Sequence, residues 1–387
     1  MKYMKVLIFA LALPTAVLTQ VDTNSQHFYL FTYFLNSVDQ AGARIAVSSD
    51  AVNWQKINNE NPIFTPALSN EHRMRDPYTF LDTNTGVFHI VWTTGWNTTN
   101  IGYATSKDLI TWTTQTIIPL GEKIRGCSCC WAPEIFYDDL KDSFMIYWST
   151  DVGANGKRTY YSLTNNFKDF TAPKKFFDPG YTVIDNDMIK VAAGKYYMFF
   201  KDERDPAEAG TQAKNIHYVY GTTPQGPWSG ISPWITTPGC EGPCAIKIGD
   251  EFRVYFDPYI NFTSTYRVVT VNNLDTNASP WPQGSILKAG SGNFLYNHGH
   301  IIEIPRVKVM QLLYGVPDQT SYAAWIVFPP SSISVNDPPA APLASIPEGK
   351  RNCGCGTGVG LAFFPPVFFK LCAHRRRKKR NRSDSQQ

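Results

Sequence analysis

The sequence predicts an all-β fold, a five-bladed β-propeller, and three observations point to it. A strand–turn–strand element recurs five times. A strongly aromatic strand stands before every copy. A third strand type, headed by polar or acidic residues, stands before four of the aromatic strands, and its fifth counterpart falls near the end of the domain.

The recurring element reads IAVSSDAVNW (45–54), IGYATSKDLITW (101–112), YYSLTNNFKDF (160–170), IHYVYGTTPQGPW (216–228) and YRVVTVNNLDTNASPW (266–281). Copies follow one another at about 50–60 residues, the spacing of one four-stranded blade. The aromatic strands are FYLFTYFL (28–35), VFHIVWTT (87–94), FMIYWST (144–150), YYMFFKD (196–202) and FRVYFDP (252–258). Runs rich in aromatic and β-branched residues suit strands covered on both faces.

The third type reads MRDPYTFLD (74–82), WAPEIFYD (131–138), VIDNDMIKV (183–191) and EGPCAIKI (241–248), with NHGHIIEI (297–304) as the late counterpart. This asymmetry predicts that a C-terminal innermost strand joins the N-terminal blade of residues 28–65 and closes the ring, leaving no open sheet edge. A two-sheet sandwich gives no reason for a fivefold period.

The remaining chain divides around this core. Lys2 and Lys5 precede the apolar run Val6–Leu18, so residues 1–20 read as a secretory signal peptide, too short to span a membrane. The propeller is expected over 21–328. Residues 329–387 form a Pro-, Ser- and Ala-rich linker and a basic tail, either disordered or a weak membrane anchor. That tail explains the net charge of +4. Residues 370–387 carry eight of the 36 Lys and Arg but one of the 32 acids, which leaves the rest net negative and excludes a nucleic-acid face.

Secretion permits disulfides among Cys127, Cys129, Cys130, Cys240, Cys244, Cys353, Cys355 and Cys372, and glycans on the sequons at Asn97, Asn261 and Asn277. Cys127–Cys130 and Cys240/Cys244 should both lie near one mouth of the propeller. The pairing is not legible from sequence; a disulfide between the two groups would pin the walls of the site, and the spacings favour disulfide over its rival, zinc.

The innermost strands of a propeller begin around one mouth of a central channel. Their first ionisable residues are Asp76, Glu134, Asp185 with Asp187, Glu241 and His298, and these are expected to share one structural position. Carboxylates so crowded must be partly protonated or paired. Two carboxyls with split pKa values facing a sugar are what glycoside hydrolysis requires. Each residue alone has an ordinary explanation: Asp-Pro favours a turn, Glu134 can hold a backbone amide, Asp187 can face away from the channel, and His298 can be an interior histidine.

RDP at 75–77, WAPEI at 131–135, VID at 183–185, EGP at 241–243 and HG at 298–299 together resemble the successive blade motifs of glycoside hydrolase family 43, over residues 28–315. The resemblance implies an inverting glycosidase acting on terminal arabinose, xylose or galactose of plant or algal polysaccharides. It implies Asp76 as the general base, Asp185 as the residue that orients the acid and raises its pKa, and Glu241 as the general acid. Trp131 and Glu134 would line the sugar subsite, with Arg75 and Trp96 beside them. His298 would hold a central calcium ion or a water; no cofactor is otherwise required. Inversion needs the working carboxyls about 6.5–9.5 Å apart. A secreted monomer with a saccharide as partner is expected, away from membranes unless the tail anchors it. Two other classes stay open: a propeller that binds carbohydrate without cleaving it, and a retaining, fructan-cleaving propeller.

Overall fold

A computed structural model describes residues 21–315, apart from 154–155, 211–212, 260–264, 276–278, 283, 291 and 295–297. The expected leader at 1–20, the tail at 329–387, the sequons at Asn261 and Asn277, and Cys353, Cys355 and Cys372 lie outside the described residues. The chain divides into compact units Met1–Asp337 and Pro338–Gln387, and all of the described structure belongs to the first.

Five sheets, antiparallel except for one pairing in the first, form the blades of a β-propeller, the fold expected from the sequence. The second blade is Arg75–Asp82, Val87–Thr93, Ile101–Ser106 and Thr116–Ile118; the third is Trp131–Asp138, Ser143–Asp151, Lys157–Thr164 and Lys174–Phe177. The fourth has three strands, Val183–Ala192, Lys195–Asp202 and Ile216–Gly221. The fifth is Cys240–Ile248, Glu251–Pro258, Arg267–Val271 and Ser285–Ile286. The first blade contains Tyr29–Tyr33, Arg44–Ser48 and Asn53–Lys56. Gly299–Glu303 pairs antiparallel with Tyr29–Tyr33, and Lys288–Ala289 runs parallel to Asn53–Lys56.

The turn in the repeated element has a physical cause. Ser48 Oγ accepts the Ala51 amide while Asp50 Oδ1 accepts those of Val52 and Asn53. Ser106 with Asp108 and Thr164 with Asn166 repeat this arrangement in the second and third blades. Each loop turns through an apolar residue at positive φ, Ala51, Leu109 or Phe167, whose side chain is buried. Side-chain acceptors replace the ladder at the turn and let the chain reverse.

Apolar clusters occupy the junctions between successive blades. Leu30 and Val47 of the first blade meet Leu81 and Phe88 of the second. Val91 and Ile101 meet Ile135 and Trp148 of the third; Tyr147 meets Met188 and Phe200 of the fourth. Phe199 meets Val254 and Phe256 of the fifth, and Tyr255 and Val268 return to Phe31 and Trp54 of the first. Burying each such aromatic side chain contributes about 1.5–3 kcal/mol. The aromatic strands thus stand mid-blade, where both faces contact a neighbour. Among the described residues no helix is long and apolar enough to cross a membrane.

Candidate active site

Four innermost strands carry the same irregularity near their start. Register shifts fall between Arg75 and Tyr78, Trp131 and Glu134, Ile184 and Asp187, and Glu241 and Cys244. In each, two residues oppose one on the neighbouring strand, and the first of the two has positive φ: Asp76 (52°), Ala132 (43°), Asp185 (52°) and Gly242 (57°). Such a bulge re-aims the side chains around it.

The bulges correct the expectation of one shared position. Glu241 aligns with Arg75, Trp131 and Ile184, ahead of the bulge. Asp76 and Asp185 stand on the bulge itself. Glu134 aligns with Tyr78, Asp187 and Cys244, one tier beyond it. The sequence spacing is similar for all of these because each tier is separated from the next by only a residue or two.

Asp76, Asp185 and Glu241 nonetheless converge on His298. His298 Nε2 lies 2.9 Å from Asp76 Oδ1, and Thr93 Oγ1 donates a 2.8 Å hydrogen bond to Asp76 Oδ2. Asp185 Oδ2 accepts the Gly242 amide at 3.1 Å. The imidazole rests on Gly242, where a Cβ would come within 2.1 Å of His298 Cβ and Cγ. Glu241 Oε2 accepts a 2.6 Å hydrogen bond from Lys201 Nζ, which also pairs with Glu203 at 2.9 Å.

These contacts separate the titrations. Burial pushes the Asp76 carboxyl up, but the His298 charge and hydrogen bonds outweigh it and bring it down to about 2. Burial disfavours the His298 cation, yet Asp76 and Asp185 hold it at about 10. Asp185 is raised to about 6, first by burial and then by Glu241, against the opposing pull of His298.

Near His298, Glu241 and Asp257 bring carboxylate oxygens within 4.8 Å of its ring. Two carboxylates and a nitrogen supply part of the six to eight ligands that calcium takes, so an ion held here would complete its shell with water.

An aromatic wall stands beside the acids. The Arg75 guanidinium lies 4.3 Å from the Trp96 ring centre and 4.8 Å from that of Phe34. Trp96 and Trp131 meet edge to face at 5.5 Å, and Trp131 Nε1 donates to the Trp96 carbonyl. Trp96 is 39% exposed, so part of this surface is open to a ligand. Glu134 lies on the pocket floor and accepts a hydrogen bond from Tyr147. Asn97, the sequon next to Trp96, is exposed.

Lys201, Thr93 and Tyr147 were not singled out from the sequence. Lys201 had one signal: a lysine ending the apolar strand YYMFFK, on the same face as Phe199. Asp185 and Asp187 also separate. Asp185 faces Gly242 and the site, whereas Asp187 Oδ2 accepts the Ala245 amide at 2.8 Å in the deeper tier.

The expected disulfide between cysteine groups is not formed; Cys127, Cys129, Cys130, Cys240 and Cys244 are free thiols. Cys130 faces the junction of the second and third blades, Cys240 that of the fourth and fifth, and Cys244 that of the fifth and first. The bulge between Glu241 and Cys244 shifts the alternation by one residue and turns Cys240 and Cys244 to different neighbours.

A family model described as "probable glycosyl hydrolase domain", of the glycosyl-hydrolase-43-related type, matches residues 25–308. The exo-beta-1,3-galactanase of Clostridium thermocellum superposes with a TM-score of 0.51 at 15% identity, covering 70% of this chain and 62% of its own. The exo-beta-1,3-galactanase of Phanerochaete chrysosporium, with beta-1,3-galactotriose, gives 0.50 at 16% identity over 72% and 65% of the two chains. At these identities the likeness concerns the fold. An alpha-L-arabinofuranosidase of Bifidobacterium longum is 28% identical over 121 residues, 27% of this chain and 11% of that protein. The chain thus spans about a tenth of the length of this curated relative.

Proposed function

Because the chain belongs to the glycosyl-hydrolase-43-related family of glycoside hydrolases, we propose that it releases terminal arabinose, xylose or galactose from polysaccharides by single-step inversion. The convergence of Asp76, Asp185 and Glu241 on His298 carries this reading. Asp76, held ionised, removes a proton from the attacking water. Glu241 delivers a proton to the leaving glycosidic oxygen. Asp185 hydrogen-bonds the amide next to Glu241 and so helps to orient the acid. The Arg75–Trp96–Trp131 wall offers ring faces to a sugar, with Glu134 below as a polar contact. The leader at 1–20 suits an exported enzyme that meets its polymer outside the cell.

One observation favours a second reading, a propeller that binds saccharide without cleaving it. Asp76 and Glu241 each already hold a cationic partner, His298 and Lys201. A release assay separates the two. Wild type and Glu241→Gln are compared on a panel of aryl glycosides and on arabinan, xylan and arabinogalactan, with product anomers followed by NMR. Hydrolysis predicts inverted product and a loss of about 10²–10⁴ in kcat for the variant. Saccharide binding with no release from any substrate supports the binding propeller, and retained configuration overturns the one-step mechanism.

A further inference from the structure

The proposed hydrolysis leaves part of the tier below the bulges without a task. Three residues there, on strands of three different blades, bring unlike donor atoms together. Asp187 belongs to Val183–Ala192, Cys244 to Cys240–Ile248 and His300 to Gly299–Glu303. A carboxylate oxygen, a sulfur and a ring nitrogen lie within 4.8 Å of one another, and all three residues are buried. We propose that Asp187, Cys244 and His300 form a binding site for a divalent ion of the zinc class.

Each donor is held in place by its surroundings. His300 Nδ1 lies 3.0 Å from the Thr79 carbonyl oxygen, which accepts only if Nδ1 carries the proton. That tautomer leaves Nε2 as a bare acceptor. Nε2 faces Asp187 Oδ1 at 3.8 Å, too far for a hydrogen bond. The Tyr78 ring stacks on the imidazole at 3.6 Å and fixes its plane. The other oxygen of Asp187 accepts the Ala245 amide, and Cys244 Sγ accepts the Ile301 amide at 3.3 Å. Backbone groups behind ligand atoms are the usual means by which a protein aims them at a metal.

The donor set selects the ion. Calcium and magnesium take oxygen, whereas one thiolate, one imidazole and one carboxylate suit zinc. A tetrahedral zinc with bonds of about 2.0–2.3 Å holds its ligand atoms about 3.3–3.8 Å apart, so the cluster would draw in by up to about 1.5 Å to close on the ion. The fourth position is left for water. Tyr78 and His300 line both the active-site pocket and a larger, mostly apolar cavity bordered by Phe80, Met188 and Ile302, so an ion has a route to the cluster. Bound there, it would clip the fourth and fifth blades to the strand beside Tyr29–Tyr33.

Cobalt(II) serves as the probe, added to the full-length protein after treatment with a chelator. One cobalt ion per chain is expected, with tetrahedral d–d absorption and a thiolate charge-transfer band, both displaced by zinc. The zinc-loaded protein should melt at a higher temperature than the chelated one. Cys244→Ser should abolish the thiolate band, while Cys127→Ser should leave it unchanged. Should Cys244→Ser not fold, Asp187→Asn, which preserves shape, should weaken cobalt binding at least tenfold. A wild-type titration with no thiolate band overturns the site. So does a band that survives Cys244→Ser, or cobalt affinity unchanged in Asp187→Asn.

Discussion

Lys201 donates a 2.6 Å hydrogen bond from Nζ to Glu241 Oε2 although the lysine is only 3% exposed. A lysine so deep persists because two carboxylates, Glu241 and Glu203, hold it. Removing it would strand Glu241, whereas Glu203 keeps Lys214 at 3.2 Å. Lys201→Met is expected to lower stability by about 3–5 kcal/mol, the cost of uncompensated buried charge. Urea unfolding followed by tryptophan fluorescence measures this. A loss under about 1 kcal/mol would show that the pair is solvated and weak.

Asp76 should remain ionised far into acid. Its carboxyl is brought down to about 2, so its basic form persists as the pH falls until that value is approached. Activity lost on acidification between about pH 6 and pH 4 must then come from another group. Asp76→Asn should lower kcat by about 10²–10⁴. A kcat/KM profile for wild type that follows a single group near pH 4, absent in a partly active Asp76→Glu, would contradict this.

Gly242 is a steric requirement of the site. Its φ is +57°, and an added Cβ would overlap His298 Cβ and Cγ at 2.1 Å. Gly242→Ala should cost about 1–3 kcal/mol from overpacking, together with the strain of a left-handed alanine. Because the clash displaces the ring that pairs with Asp76, sugar release should fall as well. Full activity in a stable Gly242→Ala protein would separate His298 from catalysis.

Cys127 should be the reactive thiol. The Cys130 thiol donates to its sulfur and Thr150 Oγ1 donates at 3.0 Å, which together outweigh burial and bring Cys127 down to about 7. Burial pushes Cys129 up to about 12 and Cys130 well above its usual range. The thiolate forms as pH rises through about 7, so alkylation by iodoacetamide should accelerate there rather than near 9. Peptide mapping by mass spectrometry reads the order of labelling. Cys129 or Cys130 reacting first would refute it.

Much of the propeller was legible because its causes are local. The Ser-x-Asp turn at Ser48 and Ser106 and its Thr-x-Asn form at Thr164 use acceptors two or three residues from the amides they hold, so the turn recurs wherever those residues do. The aromatic mid-blade strands were legible for the same reason, since double-sided burial demands apolar residues at every step. Asp76, Asp185, Glu241 and His298 were recognisable as a group because four strand starts of one type must surround one channel.

What the sequence by itself determined is therefore the fivefold strand order and the set of polar residues at its centre. What only the tertiary structure decided is their depth and pairing. A bulge inserts one residue without changing the spacing of the motifs, so it sorted Glu241, Asp76 and Glu134 into three tiers that look alike in one dimension. Lys201 reached Glu241 from a neighbouring blade, and Cys244, Asp187 and His300 met from three separate strands. Contacts between blades depend on how the sheets pack, and no local rule of sequence encodes them.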